Sequence, residues 1–270
     1  MATLSLGVIA EYSDTESFAR IRELGMTTCQ VSSWGGDVGE EKAAEVRRAA
    51  DSAGITISSV WCGWSGPAVW DFVDGPATIG LVPAQYRAQR LQELKRGADF
   101  TAWLGVPNAI THAGFLPIDP KHPDYIGTVE ALKELADHCG ERGLWFCFET
   151  GQETPVVLRR CMQDIGRDNL GVNLDPANLL MYGNANPIDA LDLLGPFVRD
   201  VHAKDGDYPT NGHELGPEKA LGQGRVNFPA LVARLKSFGY AGSLTIEREI
   251  SGPQQIEDIK RAVELLKPLL

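Results

Sequence analysis

Four residues able to bind a metal recur at the same place in four successive apolar runs. Glu149 closes LWFCFET, Asp175 closes LGVNLD, His202 lies in VRDVHAK and Glu247 in SLTIERE. A carboxylate at the end of a buried strand is costly unless it is paired, because the interior does not solvate charge. Three carboxylates brought to one point could not all stay ionised without a cation. Oxygen-rich ligation with a single imidazole suits a divalent ion, Mn²⁺ first, with Mg²⁺, Co²⁺ or Zn²⁺ as alternatives, and leaves coordination positions open for substrate oxygens. Each residue alone has an ordinary reading. Asp175, before Pro-Ala-Asn, suits a helix N-cap, and His202 suits a hydrogen-bonded core histidine. Glu247 could pair with Arg248 or Lys204, and Glu149 could cap the helix that begins near Thr154. Independent accidents would not repeat at one level of four successive strands, so the set favours a metal.

The elements that must position these residues alternate along the whole chain. Eight short apolar, β-branched runs (4–10, 27–33, 55–61, 109–113, 144–150, 170–175, 198–204 and 243–249) predict strands. Helical periodicity marks 15–24, 40–53, 84–104, 128–142, 155–165, 228–238 and 254–266, several followed by a glycine suited to a left-handed cap. Strands apolar on both faces and separated by helices imply a parallel sheet, and eight such units are what a single-domain (β/α)8 TIM barrel over 1–270 requires. A doubly wound sheet would carry a glycine-rich turn after its first strand, where this chain has Ile9-Ala10-Glu11-Tyr12. In a barrel the four strand ends converge at one mouth. Two long connections, 63–83 and 205–226, leave strands at that mouth and read as covers for a site.

Other residues are expected near the metal. His112, ending the fourth strand run, and Lys204, two residues after His202, are candidates for holding substrate oxygens, with a backbone-bonded histidine and a salt-bridged lysine as the ordinary readings. Trp34, Trp61, Trp64 and Trp70 fall in or after the second and third strands, where indole faces suit the C–H surface of a sugar or serve as packing. The Gly222/Gly224 pair in LGQGRV lacks the context of a phosphate loop and reads as a tight return into the next helix.

The motifs FCFETG, GVNLDPANLL, VHAKDG, LGQGRVNF and FGYAGSLTIERE resemble the xylose isomerase-like barrels, which include sugar phosphate isomerases/epimerases, ketose 3-epimerases, inosose-processing enzymes and endonuclease IV. The resemblance covers nearly the whole chain. It implies that Glu149, Asp175, His202 and Glu247 form the metal shell and that Glu149 and Glu247 move the proton. The sequence departs from the epimerases at Asn178, which stands where they and endonuclease IV carry a histidine, and at AKDGDY, which lacks an arginine they place after the metal histidine. An amide holds a substrate hydroxyl but cannot shuttle a proton, so Asn178 is expected to bind substrate.

The expected activity is therefore a divalent-metal-dependent isomerase or epimerase of a keto-sugar or polyol, working through an enediolate. A metal-dependent lyase on the same barrel, acting on a 3-keto-glycoside, an inosose or a keto acid, is the alternative. A barrel that only binds a sugar or a partner is a third reading. Composition narrows the partners. Lys plus Arg total 25 against 36 Asp plus Glu, a net charge of −11 that repels a phosphate backbone, so nucleic acid is not an expected partner. No apolar run is long enough for a membrane span, and the start MATLSLGVIAEYSD lacks a basic leader. The five scattered cysteines read as reduced and mostly buried, in a cytoplasmic protein. A homo-oligomer acting on a small-molecule sugar is the expected assembly.

Overall fold

The computed structural model describes residues 4–34 and 38–270; the first three residues of the stretch read for a leader lie outside the described residues. Eight strands, β1 (Ser5–Glu11), β2 (Thr28–Ser33), β3 (Thr56–Cys62), β4 (Asn108–Thr111), β5 (Trp145–Glu149), β6 (Leu170–Leu174), β7 (Val198–Ala203) and β10 (Ser243–Ile246), close into a parallel barrel. They follow one another around it in chain order, and β10 closes onto β1 with Ser5 opposite Ser243. The two-residue strands β8 (Asp205–Gly206) and β9 (Glu218–Lys219) pair with each other inside the connection after β7. The (β/α)8 barrel expected from the alternation is the fold observed.

Helices cover the barrel: α1 (Ser17–Glu23), α2 (Glu40–Ala53), α3 (Gly75–Thr78), α4 (Ala84–Leu104), α5 (Pro123–Gly140), α6 (Pro155–Ile165), α7 (Pro176–Met181), α8 (Pro187–Leu194), α9 (Phe228–Ser237) and α10 (Pro253–Leu266). Their periodic apolar positions face the strands. In α6, Val157, Leu158, Cys161, Met162 and Ile165 are buried while Val156 is exposed, the spacing of a one-sided helix. Each buried aliphatic side chain contributes about 1.5–3 kcal/mol relative to exposure. All five cysteines are free and buried in this layer. Among the described residues no helix is long and apolar enough to cross a membrane.

Helix α5 starts five residues before the periodicity placed it. Its first turn holds Pro123, capped by His122, whose Nδ1 accepts from Asp124 N. Gly127 interrupts the apolar pattern because Arg87 passes there; a Cβ would lie 2.1 Å from Nη1. The last strand is three residues shorter than its apolar run, so Glu247 stands just past the end of β10.

Both long connections are tied down by one buried charge. Arg90 of α4 donates to the carbonyls of Ser65, Pro67, Thr78 and Gly80, gathering the segment 63–83 around its guanidinium. Asp205 does the inverse for 205–226. Its Oδ1 accepts from Gly206 N and Val226 N, and its Oδ2 from Gly222 N and Gly224 N, at 2.9–3.0 Å. The glycines of LGQGRV are thus explained: Gly222 has φ +86°, and a Cβ on Gly224 would meet Asp205 Oδ1 at 2.2 Å.

Candidate active site

Glu149 ends β5, Asp175 follows β6 as the N-cap of α7, His202 lies near the end of β7, and Glu247 follows β10. One ligating atom of each lies within 4.8 Å of those of the other three. His202 Nδ1 is the hub, 3.2 Å from Glu149 Oε1, 3.7 Å from Asp175 Oδ2 and 2.9 Å from Glu247 Oε2. His202 Nδ1, Asp175 Oδ2 and Glu247 Oε2 are buried and have no hydrogen-bond partner. Buried polar atoms are rarely left so, and three converging on one point could hold a cation.

The ordinary and the functional readings hold together at two of these residues. Asp175 caps α7 through Oδ1, which accepts from Asn178 N at 2.8 Å, and turns Oδ2 into the cluster. His202 is hydrogen-bonded in the core through Nε2, 2.9 Å from the acceptor Gln30 Oε1, and turns Nδ1 toward the carboxylates. Asn173 Nδ2 also lies 3.0 Å from Nε2. Glu149 does not cap α6, since Thr154 does.

The surrounding charges set the ionisation. Burial would raise the Glu247 carboxyl, but Lys204 and His202 outweigh it and hold it well below the usual range. At Glu149 burial is likewise overcome, by His112 and His202. Asp175 is pushed up to about 6 by burial, against the pull of Lys204. Burial lowers His112, whereas at His202 the adjoining Glu247 and Glu149 override burial and raise it.

Lys204 Nζ stands 3.4 Å from Glu247 Oε2, 3.8 Å from Asp175 Oδ2 and 3.1 Å from Glu249 Oε1. His112, just past β4, points Nε2 at Glu149 Oε1 (3.4 Å) and leaves Nδ1 unpartnered. Asn178 Nδ2 donates to the same oxygen at 3.4 Å, and Trp61 Nε1 donates to Glu149 Oε2. Lys204, Glu247, Glu249, His112, Glu149, Asn178 and Trp61, but not Asp175, line a cavity of about 570 Å³ together with Trp34, Trp70, Tyr182 and, from the connection after β7, Leu215. Trp64 does not line it; it is buried behind Trp61 and Trp34 with Arg90 over its ring. Gln30, Asn173 and Glu249 were not among the sequence candidates. Gln30 did carry a signal, as an amide inside the apolar run TTCQVSS.

Comparison with known proteins agrees with this geometry. The family described as xylose isomerase-like TIM barrel matches residues 18–269. A xylose isomerase domain protein from Planctomyces limnophilus is 34% identical over 99% of this chain and 96% of its own, with a TM-score of 0.91. An uncharacterised protein of Methanocaldococcus jannaschii is 31% identical over 60% of this chain; the match spans about half, 55%, of that relative's length. An L-ribulose 3-epimerase, 18% identical over 99% of this chain and 95% of its own, shares the fold with a TM-score of 0.74. The chain belongs to the xylose isomerase-like TIM barrel family.

Proposed function

We propose that the protein is a divalent-metal-dependent isomerase or epimerase of an unphosphorylated keto-sugar. The observation that carries this reading is the convergence of Asp175 Oδ2, His202 Nδ1 and Glu247 Oε2 on one point beside Glu149, with Glu149, His202 and Glu247 lining the cavity. A divalent cation held by Glu149, Asp175, His202 and Glu247 would polarise a substrate carbonyl and acidify the neighbouring C–H.

The chain's own residues do the rest. Glu247 and Glu149 are both held as anions by their neighbours, the form that accepts a proton. One takes the proton from the carbon beside the carbonyl and the other serves the opposite face. Return to the same carbon epimerises, and return to the adjacent carbon isomerises. Trp61, donating to Glu149 Oε2, fixes that carboxylate's plane and leaves Oε1 toward His112 and Asn178. His112 Nδ1, Asn178 and Lys204 hold substrate oxygens, and Leu215 helps exclude water. An unphosphorylated substrate is favoured because, among the described residues, the arginines and lysine lining the cavity are already paired: Arg20 with Asp14, Arg248 with Glu218 and Asp258, and Lys204 with three carboxylates. The 3-epimerisation that names one distant structural relative belongs to the same reaction class.

A second reading, a metal-dependent lyase, shares the proton abstraction and ends in loss of a leaving group. It is favoured by Asn178, which holds a hydroxyl without returning a proton. The test is incubation of manganese-loaded protein with unphosphorylated ketoses and 3-keto-glycosides in deuterium oxide, followed by NMR. Deuterium on the carbon beside the carbonyl is expected. A released leaving group selects the lyase, and product with its original hydrogen fully retained contradicts both readings.

A further inference from the structure

The interior of such a barrel is ordinarily filled by branched aliphatic side chains. Here a buried carboxylate, Asp200, stands two residues before His202 on β7, and strand alternation turns both to the same face. Ser58 and Ser59 of β3 reach it across the interior. Asp200 Oδ2 accepts from Ser58 Oγ at 2.9 Å and from Ser59 Oγ, and Oδ1 accepts from Val201 N at 2.9 Å and Thr245 Oγ1 at 3.4 Å. The β2–β3 register makes room for this. Cys29 lies opposite Ile57 but Gln30 opposite Ser59, so Ser58 is an extra residue and two successive serine hydroxyls reach one carboxylate. Burial raises the Asp200 carboxyl, and Ser59, His202, Val201 N and Ser58 oppose the rise.

These contacts give the hydrogen bonds beyond them a direction. A carboxylate only accepts, so the Ser59 hydroxyl gives Asp200 its one proton, and its lone pairs receive Gln30 Nε2 at 3.0 Å. An amide that donates at one end presents its carbonyl at the other, and Gln30 Oε1 lies 2.9 Å from His202 Nε2. An acceptor there calls for a proton on Nε2, which leaves the Nδ1 lone pair for the point where Glu149, Asp175 and Glu247 meet. Asn173 runs the other way. Its Nδ2 lies 3.0 Å from the same Nε2 and favours the opposite tautomer, with the proton on Nδ1 and no lone pair for a cation. Asn173 Oδ1 has no partner, whereas the Gln30 amide is engaged at both ends. A chain that ends on a charge polarises each bond along it, so Gln30 prevails.

We infer that Asp200, acting through Ser59 and Gln30, is a positioning residue that holds His202 with its proton on Nε2 and Nδ1 free for a cation. The inference rests on the metal reading of the site. The test is calorimetric titration of chelator-treated protein with Mn²⁺, on the parent, on Ser59→Ala, Gln30→Met and Asp200→Asn, and on the double variant Gln30→Met/Asp200→Asn. Each single variant should bind Mn²⁺ about tenfold more weakly, the loss expected when an outer partner of a ligating histidine is removed. The double variant should bind no more weakly than Gln30→Met alone, because without Gln30 the carboxylate has no path to the imidazole. Ser59→Ala leaves Asp200 three other donors and guards against a variant that fails to fold. The second readout is the His202 Nε2–H resonance of Zn²⁺-loaded, nitrogen-15 histidine-labelled protein. It should move upfield in Ser59→Ala and Asp200→Asn, although neither residue is hydrogen-bonded to His202, as the Gln30 carbonyl loses polarisation. Mn²⁺ affinity equal to the parent's in the single variants overturns the inference and leaves the metal reading standing. A double variant that loses the full sum of its two singles does the same, since Asp200 would then act by its field alone, and so does an unmoved Nε2–H resonance in Ser59→Ala. A parent protein that binds no Mn²⁺ overturns the metal reading and the inference with it.

Discussion

The two long connections at the barrel mouth solve one problem with opposite charges. The segment 63–83, which gives the cavity Trp70, is wrapped on a guanidinium that collects four carbonyls; the segment 205–226, which gives it Leu215, is wrapped on a carboxylate that collects four amide N–H groups. Backbone dipoles solvate both anchors. The difference lies in what the cavity wall presents. The aromatic residues offer faces and apolar area, which recognise. The acidic cluster offers ionised groups whose oxygens and nitrogen are left unpartnered, which react. Stability is therefore spent on holding the frames so that the acidic cluster can remain unsatisfied.

The division predicts its largest effect at the glutamates. Glu247→Gln and Glu149→Gln should each lower solvent-deuterium exchange into substrate by about a thousandfold or more while the circular dichroism spectrum stays unchanged, since an amide accepts no proton. A residual rate within tenfold of the parent protein would remove that residue from the proton-transfer pair. Next come the anchors. Arg90→Met and Asp205→Ala should each cost about 3 kcal/mol in urea unfolding, because each orphans several backbone groups that only partly recover by reaching water. Limited proteolysis should separate them, with cuts within 206–225 in the Asp205 variant and within 65–80 in the Arg90 variant. Identical cleavage patterns would mean that the anchors do not act locally.

The smallest effect concerns a carboxyl that the cluster does not use. Glu153, after β5, is buried with Oε2 unpartnered, and burial pushes it from an ordinary 4.5 up to about 8. Below the lower value both folded and unfolded states carry the proton. Between the two the unfolded chain gives it up and the folded one keeps it, so this contribution to stability is lost as pH rises and levels off above about 8. Relative to the parent, Glu153→Gln should gain stability steadily between pH 5 and 8, read from urea midpoints. Parallel curves for the two proteins would show that Glu153 is ionised in the fold.

Much of this was legible in the sequence because a buried strand has a strict pattern that a polar residue breaks. Glu149, Asp175, His202 and Glu247 each interrupt apolar runs at the level where a barrel has its mouth, so residue type and position together were enough. The ordinary reading of Asp175 and of His202 holds beside their place in the cluster, because a carboxylate has two oxygens and an imidazole two nitrogens, and sequence cannot say which one is engaged. Gln30 and Glu249 escaped notice because their roles depend on contacts between distant strands: Gln30 reaches His202 across the barrel interior, and Glu249 meets Lys204 only where the chain leaves β10. The tryptophans were found as a cluster but not sorted, since the turn after Cys62 directs Trp64 inward beneath Arg90 and leaves Trp70 to line the cavity. The anchors were missed for a related reason, as a charge partnered by backbone has no complementary residue to look for.

In the proposed function Glu149, Asp175, His202 and Glu247 hold one divalent cation. Calorimetric titration of chelator-treated protein with Mn²⁺ tests it most directly, on the parent protein and on Asp175→Asn and His202→Ala. Asparagine keeps the helix cap at Oδ1 and removes only the charge at Oδ2, so a loss of affinity there cannot be assigned to a lost cap. The account expects one site per chain in the parent and affinity lower by about a hundredfold or more in each variant. Mn²⁺ binding with the same stoichiometry and affinity in both variants would contradict it.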